Sequence, residues 1–104
     1  MSPAMKLRMV QSGGLLGIVR SCEIDSTSLG REAALELERM VRASGISASG
    51  AHLSESARDL HTYEITIEDG DRTVTVVFDD ASMPAAAKPM IGYLKQHARP
   101  VPPA

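Results

Sequence analysis

Apolar and polar residues alternate most regularly between Thr62 and Asp79. Every second residue is apolar, first Tyr63, Ile65 and Ile67, then Val74, Val76 and Phe78. This period of two predicts two strands that each bury one face. The Asp69-Gly70 pair between them predicts a two-residue type I′ turn, because glycine adopts positive φ without steric cost. In the register that this turn sets, Glu68 faces Asp71, Ile65 faces Val74, Tyr63 faces Val76 and His61 faces Phe78.

A second hairpin is predicted near the start of the chain. Met5, Leu7 and Met9 alternate with Lys6 and Arg8, which indicates a strand of about six residues. A turn follows at Gln11 to Gly14. Ile18, Cys22 and Ile24 then predict an inward-facing row on a second strand, with Val19, Ser21 and Glu23 on its other face. The loop between these strands is expected to be longer and looser than the Asp69-Gly70 turn.

Two helices follow from spacings of three and four residues. The first runs from Leu29 or Gly30 to Ser44, and the residues predicted for its buried face are Ala33, Leu37, Met40, Val41 and Ser44. The second begins near Lys88 after a short turn or a kink, because Pro89 is tolerated only in the first turn of a helix. Its predicted buried face is Met90, Ile91, Leu94 and Ala98. The segment from Ile46 to His61 shows no period and is expected to be a surface loop.

This order of elements, ββαββα, predicts an α+β fold. Its simplest form is a four-stranded antiparallel sheet made of two hairpins, with both helices on one face. A chain of 104 residues suits one domain, with an ordered core at about 5–98 and tails at 1–4 and 100–104.

Composition and charge exclude several classes of function. The net charge of −2 and the lack of a basic patch with interleaved aromatics argue against nucleic-acid binding. The apolar runs are far shorter than a membrane span, and no apolar block of a signal peptide follows Met1, so a cytoplasmic protein is expected. Cys22 is the only cysteine, which leaves no internal disulfide and favours a buried structural thiol. A monomer is expected in the free state.

The sequence contains no recognisable catalytic set. His52, His61 and His97 lack partners at the spacings of metal ligands, and no phosphate-binding glycine loop or nucleophile motif is present. Asp79-Asp80 is interpreted as a solvated connection. We therefore expect no enzymatic activity, no cofactor and no metal, and the residues alone indicate a small interaction domain.

Several stretches spread over most of the chain carry a family resemblance. They are Met5-Lys6-Leu7, Ser12-Gly13-Gly14 with Gly17-Ile18, Asp25 through Leu29 before a helix rich in Glu, Ala and Leu, Tyr63 through Gly70, and Pro84 followed by Pro89-Met90-Ile91 and Leu94. Together they resemble the emfourin (protealysin inhibitor) family, small bacterial inhibitors of thermolysin-like zinc metallopeptidases. Leu15 stands where the family often has an aromatic residue, and Arg58 to His61 matches the family only loosely.

The resemblance implies that this protein occupies the cleft of a thermolysin-like metallopeptidase. Blocking such a cleft requires a firmly held loop with an oxygen ligand near the metal and an apolar anchor beside it. The implied contact segment runs from Asp25 to Glu32, with carboxylates at both ends and Ser28, Leu29 and Gly30 between them. The loop of Gly13, Gly14 and Leu15 is a second candidate contact.

Two alternatives remain open at the level of sequence. Leu29 can instead be a hydrophobic staple that packs on its own helix. The domain can also be a non-inhibitory module that binds a protein or peptide, for example at an exposed sheet edge. A small hydrolase or metal-dependent enzyme is the least favoured class.

Overall fold

The computed structural model describes residues 5–13, 17–53 and 60–101. In chain order, the strands and helices of these ranges are β1 (Met5–Gly13), β2 (Arg20–Asp25), α1 (Arg31–Ala43), β3 (Gly50–His52), β4 (His61–Asp69), β5 (Arg72–Asp79), α2 (Lys88–His97) and β6 (Arg99–Pro100). Short 3₁₀ turns at Ser26–Ser28 and Ala85–Ala87 precede the two helices.

The strands form one six-stranded mixed sheet in the order β3-β5-β4-β1-β2-β6. The prediction of a four-stranded antiparallel sheet was therefore wrong, although the fold class is α+β. The antiparallel hairpins β1–β2 and β4–β5 are present, and β1 joins them by pairing with β4. The two additional strands are β3, parallel to β5, and β6, antiparallel to β2. With three and two residues, they are too short for alternation to reveal them.

The β4–β5 hairpin was predicted with the wrong register. Asp69 pairs with Arg72, so Ile65 faces Val76 and Tyr63 faces Phe78. The turn residues are Gly70 and Asp71, and only Gly70 has positive φ, at 63°, which is the φ pattern of a type II′ turn. The shift amounts to two residues along β5. Because side chains alternate with a period of two, all apolar residues stay on the predicted face.

The helices begin close to where the sequence places them. Gly30 is the N-cap of α1, and no side chain forms a cap hydrogen bond there. Ala33 is exposed, contrary to the prediction, whereas Leu37 and Val41 are buried. A 3₁₀ turn precedes α2, and Pro89 lies in its first turn, as expected.

One face of the sheet carries the core. The inward-facing residues are Met5, Leu7 and Met9 of β1, Ile24 of β2, Tyr63, Ile65 and Ile67 of β4, and Val74, Val76 and Phe78 of β5. Leu37 and Val41 of α1, and Met90, Ile91 and Leu94 of α2, belong to the same cluster, so both helices cover this face. Neither helix in the described ranges is long and apolar enough to cross a membrane.

Candidate functional site

The segment from Asp25 to Glu32 links β2 to α1 and is held by four local hydrogen bonds and one long-range bond. Asp25 Oδ1 accepts from the Thr27 backbone N–H at 2.9 Å and from the Thr27 hydroxyl at 2.7 Å. These bonds hold the pKa of the Asp25 carboxyl below its usual range. The Ser28 hydroxyl donates to the Asp25 carbonyl at 2.8 Å, and the Leu29 N–H donates to the Ser26 carbonyl at 3.2 Å.

Ser26 attaches this turn to the sheet. Its hydroxyl oxygen accepts from the buried backbone N–H of Met5 at 2.9 Å, and Ser26 itself is buried. Met5 is the first residue of β1, the strand next to β2. The 3₁₀ turn is therefore held by hydrogen bonds within the segment and by the bond from the sheet to Ser26. Thr27 and Ser28 remain exposed.

Leu29, Gly30 and Glu32 lie at the start of α1. Leu29 is half-buried and packs against the core cluster, so its side chain is shared between the interior and the surface. Gly30 and Glu32 are exposed, and Glu32 lies in the first turn of α1, where the helix dipole favours a negative charge.

Gly13, the one described residue of the second predicted contact loop, lies at the opposite end of the sheet. Asp25 is opposite Lys6 on β1, whereas Gly13 ends β1 opposite His61, seven residues further along. At about 3.3 Å per residue this separates them by roughly 23 Å. Gly14 and Leu15 lie outside the described residues. The structure therefore places Asp25 and Gly13 at opposite ends of the strands.

The β4–β5 turn lies beside the Asp25–Glu32 segment instead. Lys6 pairs with Asp25 on one side and Glu68 on the other, and Met5 pairs with Asp69. A shallow cavity of about 300 Å³ lies between the two segments, lined by Met5, Lys6, Asp25, Glu68, Gly70 and Thr73. The β4–β5 turn was not predicted to lie beside Asp25. The pairing of β1 with β4 places the turn there, and no local pattern in the sequence predicts that pairing.

Asp79 and Asp80 were predicted to form a solvated connection, which is wrong for the buried Asp79 but agrees with the exposed Asp80. Asp79 is fully buried and Asp79 Oδ1 accepts from the backbone N–H groups of Ala81 and Ser82. Asp80 accepts from the Tyr63 hydroxyl at 2.7 Å and from the His61 backbone N–H at 2.9 Å. Burial, together with this carboxylate, raises the pKa of Tyr63 well above its usual range. This cluster holds the start of β4 to the end of β5.

The described ranges contain no group of three or more His, Cys, Asp or Glu side chains placed to hold a metal ion. Cys22 is half-buried, and its thiol donates to the Leu94 carbonyl at 3.3 Å. Burial raises the pKa of this thiol, which favours the unreactive protonated form.

The described residues form a small α+β domain with an exposed, hydrogen-bonded segment at one end of its sheet. The profile of the emfourin family matches residues 9–95, which is most of the chain. The chain belongs to the emfourin family. Comparisons with curated proteins and with solved structures gave no match.

Proposed function

We propose that this protein inhibits a thermolysin-like zinc metallopeptidase, and that the Asp25–Glu32 segment contacts the active-site cleft. Membership of the emfourin family supports inhibition of a metallopeptidase over catalysis. The observation that supports the choice of segment is the braced 3₁₀ turn, whose bond to Met5 fixes an exposed loop to the sheet. We also propose that the protein is bacterial, as the family resemblance implies, and cytoplasmic, as its sequence predicts.

The hydrogen bonds of the turn favour tight binding. A loop that orders only on binding loses conformational entropy at that moment, which weakens the complex. Thr27, Ser28 and Leu29 are instead held in one backbone conformation by Asp25 and Ser26 before any partner arrives. A rigid loop of this kind can occupy a cleft with little further ordering.

The residues of the segment have distinct roles in this proposal. Leu29 is the apolar anchor, with its exposed part entering an apolar pocket beside the metal. Glu32 is an exposed carboxylate that can approach the zinc or a cationic group near it. Gly30 has no side chain, which lets the peptidase approach the backbone where α1 begins. Asp25 acts mainly through Thr27, because its carboxylate already accepts two hydrogen bonds.

Inhibition is tested by titrating the purified protein into thermolysin or protealysin and following hydrolysis of a peptide substrate. We expect stoichiometric loss of activity. Leu29→Ala should raise the inhibition constant by roughly 10- to 100-fold, and Glu32→Ala by about tenfold, as expected for central interface residues.

Matched controls separate contact from general damage. Leu53→Ala removes an exposed leucine, 55% accessible, at the far end of the sheet, and Glu64→Ala removes an exposed carboxylate in the middle of β4. Both controls should inhibit like the unmodified protein. Unchanged hydrolysis at large molar excess of the unmodified protein contradicts the function for these enzymes. If Leu29→Ala and Glu32→Ala both inhibit as strongly as the unmodified protein, the contact with the cleft lies outside the Asp25–Glu32 segment.

Peptide binding at a sheet edge gains no support from the structure. The edge strands of the described sheet are β3, with three residues, and β6, with two residues that include Pro100. Short edges and a proline without an N–H offer little backbone for an added strand.

A further inference from the structure

We infer that the β4–β5 turn, Asp69 to Arg72, is the second contact of the inhibitory surface, and that Gly13 and residues 17–19 at the other end of the sheet are not. This inference rests on the proposed function, because it identifies which other part of the molecule meets the same metallopeptidase. The partner is the thermolysin-like peptidase already bound by the Asp25–Glu32 segment.

Sheet topology places the two segments side by side. β1 lies between β2 and β4, and its first residues pair with the ends of both neighbours. Adjacent strands are about 4.8 Å apart, so the backbones of Asp25 and Glu68 are separated by roughly 10 Å. Gly70 and Asp25 line one cavity, so the tip of the turn reaches the same surface depression as the end of β2.

The turn is exposed and rigid, like the segment beside it. Gly70, Asp71 and Arg72 are all exposed. The backbone is fixed by pairing of Asp69 with Arg72, and the Arg72 guanidinium donates to the Ser47 carbonyl after α1. A partner seated on Leu29 and Glu32 therefore meets a preformed second projection one strand away, at little entropic cost.

Residues 17–19 lie at the other end of the sheet. Ile18, 46% accessible, comes two residues before β2, and Arg20 at the start of β2 pairs with Gln11 near the end of β1. A peptidase whose cleft binds the Asp25–Glu32 segment therefore contacts other residues at the same end of the sheet as that segment.

A pair of arginine substitutions tests the assignment. Asp71→Arg places a long side chain of opposite charge on the turn, at a position without positive φ, and Ile18→Arg places the same side chain on the distant loop. In the thermolysin or protealysin assay we expect Asp71→Arg to raise the inhibition constant about tenfold or more, because it introduces a clash and a changed charge into the interface. Ile18→Arg should change it less than about twofold.

Hydrogen exchange in the complex gives an independent readout. We expect the amides of residues 69–72 to become protected on binding and those of 17–19 to stay unchanged. Unaltered inhibition by Asp71→Arg, or protection at 17–19 without protection at 69–72, overturns the inference. If the unmodified protein inhibits and Leu29→Ala weakens it, such a result leaves the proposed function intact. No inhibition by the unmodified protein contradicts the function and this inference with it.

Discussion

Ser26 shows how one buried hydroxyl can link a surface segment to the core. Its oxygen accepts the N–H of Met5, a backbone donor at the start of β1 that is buried from water. Ser28, two residues later, instead donates its hydroxyl to the Asp25 carbonyl, at the exposed surface where water can replace this bond. The two serines therefore differ in burial and in the distance along the chain that their bonds span.

Replacing Ser26 with alanine should destabilise the protein by about 1–3 kcal/mol, because the Met5 N–H is left buried without an acceptor. Ser28→Ala is the control and should cost less than about 0.5 kcal/mol, as exposed substitutions usually do. The free energies of unfolding are measured by urea denaturation. Equal values for the two variants would contradict a special role for the Ser26 bond.

The raised pKa of Tyr63 leads us to expect a loss of stability at alkaline pH. Its folded-state pKa is raised by burial and by Asp80, whereas the phenol of the unfolded chain ionises near pH 10. A raised pKa contributes stability that is complete below the unfolded-state value and is lost as the pH rises above it. The free energy of unfolding should therefore fall above about pH 10. Tyr63→Phe should show a smaller fall, and parallel pH profiles would count against this explanation.

Alanine substitutions at Gly13 and Gly17 can separate the cost of backbone strain from the cost of a steric clash with the added Cβ. Both have positive φ, at 84° and 63°. A Cβ on Gly13 would lie 2.8 Å from the Leu60 carbonyl oxygen, whereas one on Gly17 would meet nothing within 4 Å. Gly17→Ala should cost about 1–2 kcal/mol for the left-handed backbone alone. Gly13→Ala should cost at least about 1 kcal/mol more. Thermal denaturation of both variants measures the difference, and equal costs would show that the backbone at Leu60 moves aside.

At the scale of elements, the hairpins and helices could be predicted because their signals are local. Alternation in β4 and β5 identifies the strands and their buried face, and Pro89 marks the start of α2. The register was predicted wrongly because both Asp69-Gly70 and Gly70-Asp71 can form a two-residue turn. Either turn keeps the apolar residues of β4 and β5 on the same face, so the apolar pattern does not distinguish them. β3 could not be predicted, since its three residues pair with β5 through contacts distant in sequence.

Only the local structure of the candidate site follows from the sequence. The polar run Asp25-Ser26-Thr27-Ser28 precedes a helix in the structure, and Asp25 and Ser28 form hydrogen bonds within it. Which other segment lies beside it depends on the pairing of β1 with β4, which no pattern of residues 5–13 or 61–69 specifies. Gly13, which belongs to the second candidate contact from the sequence, lies at the other end of β1.

At the scale of the whole molecule, the sheet exposes two short edges. β3 and β6 offer few backbone groups for pairing with a second copy. We expect the free protein to be a monomer. Sedimentation velocity over a wide range of concentrations tests this expectation. A dimer that Ala51→Pro abolishes would show that the β3 edge associates after all.

The central position of β1 has a consequence for the order of folding. The β1–β2 hairpin is local, but the other edge of β1 can pair only after β4, which follows α1 in the chain, has been synthesised. During synthesis, Leu7 and Met9 therefore belong to a strand with one open side. Because pairing across a long loop is slow, we expect β1–β4 closure to limit the folding rate. A nascent chain that ends before β4 exposes this open strand to the ribosome surface and to chaperones.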